Sequence, residues 1–214
     1  MFHSKQTSLK QDIAFFLAIA AASFKLTNSK SVDTHDGAAW HATLTHGRTK
    51  IVTVSNGGHG GPDQSYFHAT TDAAKAADKA SLESLFALPN VATAVRGHML
   101  YKLELGQQFN KASEADYVAG QADIAAHVPV PTEDNIKFLV GRIADIEGMI
   151  SKLKRAMKTK LLVIYEGDDT KGAYTEFKLS DTPHNRERVR LNAKRKIDYY
   201  IADLFSATNK PEGA

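Results

Sequence analysis

The sequence predicts an α+β fold in which an antiparallel sheet, built from two β-hairpins, is covered by four or five helices. Two pairs of segments, 39–45 with 49–55 and 160–166 with 173–179, have the β-branched and apolar composition of hairpin strands. A further segment carries apolar residues at heptad spacing, which predicts one long helix. Hairpins and helices in separate runs along the chain are typical of the α+β class.

The composition is that of a globular domain. We expect the 214 residues, 43% of them hydrophobic, to form a single domain, 1–214, with its own core. The sequence has no cysteine, which excludes thiol catalysis, disulfides, iron–sulfur clusters and cysteine-based zinc sites. The net charge is only +3, but residues 151–214 hold 14 Lys and Arg against 9 Asp and Glu. We therefore expect an anionic partner to meet the C-terminal third.

Residues 1–24 are predicted to hold the first helix. The apolar run 13–22 follows two lysines and resembles the central stretch of an export signal. Asp12 at its edge and a 3–4 spacing of apolar residues favour an amphipathic core helix instead; these residues are Ile13, Phe16, Leu17, Ala20 and Phe24. The run is shorter than the ~20 residues that a membrane-spanning helix needs. We expect no membrane partner.

Turn and capping residues delimit the other segments. Residues 27–37 are rich in Ser and Asp and predict a loop. The first hairpin and a glycine loop are then expected at 38–69, a helical middle at 71–157, and a second hairpin with a basic helix at 160–206. Within the middle, 98–105 is compatible with a strand or a helical turn, and 113–126 predicts a short helix.

The long helix has the clearest pattern in the chain. Its apolar positions follow a strict 3-4-3-4 spacing over about three heptads: Ile136, Leu139, Ile143, Ile146, Ile150, Leu153 and Met157. Such a seam packs either inside one chain or against another helix. We expect an intramolecular core helix, with a homo-oligomer through residues 136–157 as the alternative.

A glycine-rich loop, residues 55–63, lies between the first hairpin and a short strand at 64–69. Glycines at this density let successive backbone N–H groups point the same way, so that they form a nest for phosphate or carboxylate. The loop lacks the lysine of a Walker motif and the helix that follows a dinucleotide-binding fingerprint. We predict a ligand-binding loop, with a plain connection as the alternative; its residues are Asn56, Gly57, Gly58, His59, Gly60 and Gly61.

His59 is also a candidate acid–base group, with His68 after the next strand as its partner. This pair supports an alternative in which the protein is an enzyme acting on nucleotides or phosphodiesters. The sequence leaves enzyme and binding protein both open. Five of the nine histidines lie between residues 35 and 68, but without the spacing of a known metal site. We predict neither a metal nor another cofactor.

The last helix is predicted to run from a cap at 180–183 to about residue 205. Arg186, Arg190 and Lys194 are four residues apart and would stack on one helix face. Like charges at that spacing repel, so an anion would stabilise them. We predict that these three residues bind a phosphate-bearing ligand.

The strand and loop 54–62 (Val-Ser-Asn-Gly-Gly-His-Gly-Gly-Pro) with Tyr66-Phe67, and the later segment 158–178, resemble small uncharacterised proteins of phages and mobile elements. In those proteins a strand ends in a similar glycine loop that leads into an aromatic strand, and a second hairpin follows. The resemblance implies a phage-encoded interaction protein in the cytoplasm, here the host cytoplasm, with a role in host takeover or defence evasion. It implies no catalytic residue.

Together these features predict a phage-type binding protein for an anionic small molecule or nucleic acid, such as a nucleotide or a nucleic-acid phosphate. A third hypothesis, besides the enzyme, is an inhibitor of a host protein that docks through the heptad helix.

Overall fold

The computed structural model describes residues 8–110, 113–168 and 173–206, and these residues fold as an α+β protein, as predicted. They form two compact units: the first comprises residues 8–17 with 146–168 and 173–206, and the second residues 18–110 with 113–145. That the whole chain is a single domain stays a prediction. The helices are α1 Leu9–Ala21, α2 Asp72–Phe86, α3 Pro89–Asn110, α4 Glu114–Ala126, α5 Glu133–Met157, α6 Pro183–Asn192 and α7 Ile201–Ser206; the strands are β1 Phe24–Thr34, β2 Gly37–His46, β3 Thr49–Gly57, β4 Gln64–Phe67, β5 Leu161–Tyr165, β6 Thr175–Phe177 and β7 Ile197–Tyr200.

The second unit contains a four-stranded antiparallel meander in the order β1-β2-β3-β4. The predicted hairpin of β2 and β3 is confirmed, with His46 opposite Thr49 and Gly47 in the left-handed region at φ +58°. The prediction of a loop at 27–37 is wrong, because most of this segment belongs to β1. Its polar residues are mostly exposed along an edge strand, where backbone pairing with β2 needs no apolar side chains.

Four helices, α2 to α5, follow the meander along the chain. The predicted cap of α2 is confirmed, since the Thr71 hydroxyl accepts a hydrogen bond from the backbone N–H of Ala74. The Ser113 hydroxyl caps α4 in the same way by accepting from the backbone N–H of Asp116. The segment 98–105, for which a strand was an alternative, lies inside α3.

The heptad seam of α5 is buried, as expected for an intramolecular core helix. Six of its seven residues are at most 2% exposed: Ile136, Leu139, Ile143, Ile146, Ile150 and Leu153. Pairing of two chains through this seam would require these side chains to leave their present packing. The homo-oligomer stays a prediction.

The first unit contains a separate three-stranded sheet in the order β6-β5-β7. The two predicted hairpins therefore belong to two sheets and not to one. The turn of the second hairpin includes residues 169–172, which lie outside the described residues. Leu161 and Val163 of β5 form a small core with Val189 of α6.

The prediction of one continuous helix from about 183 to 205 is wrong. α6 ends at Asn192, Ala193 is extended at ψ 127°, and residues 197–200 form β7. β7 pairs with the free edge of β5, so Val163 lies opposite Tyr200. The four buried positions of β5 need pairing on both edges, and the isoleucine and tyrosines of β7 suit a strand better than a helix.

The N-terminal apolar run forms α1, in which Ile13, Phe15 and Ile19 are buried. The predicted face is right only in part, because Ala20 is exposed and Phe24 belongs to β1. None of the described helices combines the length and the apolar character needed to cross a bilayer.

Candidate functional site: a cationic groove beside the glycine loop

The glycine loop is held in shape by one asparagine. Asn56, near the end of β3, accepts a hydrogen bond from the Gly58 N–H through Oδ1 at 2.8 Å. Its Nδ2 donates to the Gly61 carbonyl at 3.0 Å and to the Asp63 carboxylate at 2.8 Å. The side chain of Asn56 therefore fixes the shape of the loop. The Gly58 N–H can reach an anion only if Asn56 moves.

Gly58 is the position in the loop that requires glycine most strictly. Its φ is +73°, and a Cβ there would lie 2.7 Å from the backbone nitrogen of Ala39 and 2.8 Å from the Thr34 side chain. The Thr34 hydroxyl donates to the Gly58 carbonyl at 2.7 Å, which ties the loop to the end of β1. Gly60 has a similar φ of +72° but open space around the Cβ position.

A groove of about 520 Å³ lies between this loop and the sheet. One cross-strand row runs along it: Lys30 lies opposite His41, His41 opposite Ser55, and Ser55 opposite Gln64. Residues that face each other in this way have Cβ atoms about 5 Å apart, so all four strands contribute a polar side chain to one line. Ala39 and Gly57 fill the next row, and their small size leaves the space that forms the groove.

The charged and titratable side chains that line the groove are Lys30, His41 and His59, and no carboxylate is among the described lining residues. His59 is exposed at the loop tip. The groove therefore offers an ammonium group, two imidazoles and the polar groups of Ser55 and Gln64 to a bound molecule. This set suits an anion of small-molecule size.

His68 lies elsewhere. Its Nε2 is 2.8 Å from the Thr53 hydroxyl, and its ring contacts Tyr66 edge to face. His59 and His68 are separated by the whole of β4, about 13 Å of extended chain, and His68 does not line the groove. The structure does not bring the two predicted acid–base residues together.

The predicted stack of Arg186, Arg190 and Lys194 does not form, because α6 ends before Lys194. Arg186 makes a two-pronged ion pair with Asp181, donates to Asp203 at 2.8 Å and lies over the Tyr200 ring at 4.5 Å. The ion pair with Arg186 holds the pKa of Asp181 below its usual range. An anion at this point would have to compete with two carboxylates.

Arg190 and Lys194 do share a second depression, of about 660 Å³, after the end of α6. Arg190 pairs with Glu187 at 2.7 Å, whereas Lys194 forms no ion pair with any described residue. Two aspartates, Asp198 and Asp203, also line this depression. Its charge is therefore mixed, unlike that of the groove beside the glycine loop.

Sequence reasoning missed Lys30 as a site residue, since it lies in the segment interpreted as a loop. The signal that could have found it is the register of β1 against β2, which needs the correct strand assignment. Among the described residues, no three His, Asp or Glu side chains are grouped so that they could hold a metal ion.

Comparisons with protein-family profiles, with curated proteins and with solved structures found no match to this chain.

Proposed function

We propose that the protein is a binding protein for an anionic ligand that carries a phosphate group, either free as a nucleotide or within a nucleic acid. The observation that carries the proposal is the groove beside the glycine loop. Lys30 is the charged side chain in the lining of this groove, and among the described residues no carboxylate lines it. Lys30 and His41 face each other across two strands, and a shared anion would be stabilised by both side chains.

The loop supports the same proposal. Asn56 holds the loop as a preformed wall of the groove, so that little conformational entropy is lost when a ligand binds against this wall without using the Gly58 N–H. A phage origin, a cytoplasmic location and a role in host takeover or defence evasion, which the resemblance implies, are part of this proposal. The depression at Lys194, where four basic residues and two aspartates form the charged lining, is a separate candidate contact for a nucleic-acid phosphate.

Trp40, the sole tryptophan, lines the groove and supplies the signal for a test. Its fluorescence is followed while adenosine monophosphate, adenosine or a short single-stranded DNA is added. The proposal expects saturable binding of the nucleotide or the DNA, and none of adenosine. If the site is a nucleotide site, adenosine monophosphate should bind and the DNA should not. If it is a nucleic-acid site, the DNA should bind more tightly, and its affinity should fall strongly with salt concentration.

Lys30→Gln should weaken binding about tenfold or more, because it removes one charged hydrogen-bond donor. Lys25→Gln is the matched control, since Lys25 is exposed on the same strand but does not line the groove. Equal affinities for phosphate-bearing and phosphate-free compounds, or equal effects of the two substitutions, would overturn the proposal.

The enzyme alternative is favoured by one observation only, the exposure of His59 at the groove. In that case His59→Ala should reduce turnover of a nucleotide or phosphodiester by ~10²–10⁴-fold while binding survives. A binding protein shows no turnover before or after the substitution.

A further inference from the structure

A second pocket of the same unit lies between α2 and the chain that leads into α5. Its volume is about 660 Å³, which is within the range of small-molecule sites. Most of its wall is apolar and includes Phe67, Leu82, Val130 and Ile136. Phe67 and Val130 are 42% and 61% exposed, so apolar surface faces solvent at the pocket.

Both walls of the pocket are built before any ligand binds. On α2, residues 75, 78, 79 and 82 follow 3–4 spacing and share one face. On the opposite wall, the Nδ2 group of the buried Asn135 donates to the Val130 carbonyl at 3.0 Å. The same residue donates its backbone N–H to the Thr132 hydroxyl at 3.3 Å. The segment 130–132 is therefore anchored to the first turn of α5.

Asp78 lies in this wall and is unusual for a carboxylate. The residue is only 7% exposed, and its Oδ2 atom is closed to solvent and has no hydrogen-bond partner in the described part of the chain, so the carboxylate must turn about its Cβ–Cγ bond to present this atom to the pocket. Burial raises the pKa of Asp78, and the neighbouring His68 opposes this effect in part. Native structures rarely leave a buried carboxylate oxygen unsatisfied, so a missing donor is the simplest explanation.

The nearest cations of the pocket are already committed to other carboxylates. Lys75 pairs with Asp72 at 3.2 Å, and Lys79 pairs with Glu83 at 3.8 Å. Neither lysine bonds to Asp78. The pocket therefore combines an apolar wall with one buried acceptor, the Asp78 carboxylate, whose Oδ2 receives no hydrogen bond from the described residues. A bound ligand would have to supply that donor.

We propose that this pocket binds a small apolar amine, whose ammonium group donates to Asp78 and whose hydrocarbon or aromatic body contacts Phe67, Leu82 and Val130. An ammonium–carboxylate hydrogen bond is among the strongest polar contacts that such a wall can offer, and the burial of Asp78 strengthens it. The site is separate from the groove beside the glycine loop, and its ligand has the opposite charge.

Isothermal titration calorimetry of the intact chain with 2-phenylethylamine tests the proposal, and 2-phenylethanol serves as the uncharged analogue. The amine should bind saturably and at least about tenfold more tightly than the alcohol. Asp78→Asn should remove this preference. Asp36→Asn, the same change at an exposed turn, should leave it intact.

Val130→Trp is a second variant that keeps Asp78 and fills the pocket from an exposed position. It should abolish binding of both compounds, whether or not the Asp78 variant folds. Equal affinity for amine and alcohol, unchanged amine binding in Val130→Trp, or no saturable binding of the amine to the parent chain would each overturn the proposal.

Discussion

Two cases show how strongly the local environment decides the role of a residue in this protein. Gly58 and Gly60 have nearly the same φ, but only Gly58 is enclosed, by Thr34 and the backbone of Ala39. Asp78 lies on a helix otherwise rich in exposed charges, yet it is buried without a full set of partners. Neither difference can be read from residue type.

The two glycines should therefore respond differently to alanine. Gly60→Ala adds only the backbone strain of a positive φ, about 1–2 kcal/mol. Gly58→Ala adds the same strain and also forces Thr34 or the loop to move, so it should lower the free energy of unfolding by ~1–3 kcal/mol more. Urea denaturation of both variants measures the difference. Equal losses would show that the loop shifts freely.

The stability of the chain should depend on pH through Asp78. The pKa of Asp78 is raised in the folded state, so the folded protein binds the proton more tightly than the unfolded chain does. Stability therefore falls as pH rises from the ordinary aspartate pKa of the unfolded chain through the raised pKa of the folded protein. Lys75, Lys79, Glu83 and His68 are the charged or titratable groups around it.

Asp78→Asn should therefore be more stable than the parent at neutral pH, in the absence of ligand. The advantage should shrink as pH falls towards the ordinary aspartate range, where the parent carboxyl is protonated in both states. Urea unfolding of both proteins between about pH 8 and pH 4 measures this. A variant that is less stable than the parent at neutral pH would mean that the carboxylate has a stabilising partner.

At the scale of elements, one arginine connects α6 to the segments packed around it. Arg186 anchors α6 to Asp181, to Asp203 of α7 and to Tyr200 of β7, and the Tyr200 hydroxyl donates to the Arg186 carbonyl at 3.0 Å. The first turns of α6 are therefore anchored by Arg186, and Lys194, which has no described ion pair, lies beyond the end of the helix.

Arg186→Gln should destabilise the protein by about 1.5–3 kcal/mol, because two carboxylates lose their charged donor. Arg190→Gln is the control on the same helix, and it should change stability little since its pair with Glu187 is exposed. Thermal denaturation compares them. Equal melting temperatures would show that the Arg186 contacts do not contribute to folding.

The seam of α5 gives the strongest prediction for a helix. Ile143 is 1% exposed, so Ile143→Asp places an uncompensated charge in the core and should cost ~3–5 kcal/mol. Ser151→Asp introduces the same residue at an exposed position of α5 and should be nearly neutral. A melting temperature of Ile143→Asp within about a degree of the parent would contradict the burial of the seam.

At the scale of the whole molecule, the two compact units share two helices. Residues 9–17 of α1 belong to the first unit and 18–21 to the second, while α5 passes from the second unit to the first after Asp145. Neither unit can unfold alone without breaking both helices in their interior. Helix formation is cooperative, so such breaks are unfavourable.

We therefore expect one unfolding transition for the intact chain. Trp40 fluorescence reports on the sheet of the second unit, whereas circular dichroism at 222 nm reports on helices of both units. The two signals should give the same midpoint in urea. Separate midpoints would show that the units unfold independently and that the single-domain prediction is wrong.

The sequence by itself determined the elements whose signals are local. The spacing of α5, the cap at Thr71 and the turn at Gly47 each depend on residues within one or two turns of chain, so periodicity and capping chemistry were sufficient. The glycine loop was likewise recognisable from its composition, although not the role of Asn56 in fixing it.

Only the tertiary structure decided the remaining strands and the two candidate sites, because these features depend on contacts between distant segments of the chain. The polar segment of β1 and the residues of β7 become strands through the partners they meet, β2 and β5. The row from Lys30 to Gln64 exists only through the register of four strands, and the pocket at Asp78 only through the meeting of α2 with the start of α5. Local propensity carries no information about which side chains such long-range contacts place together.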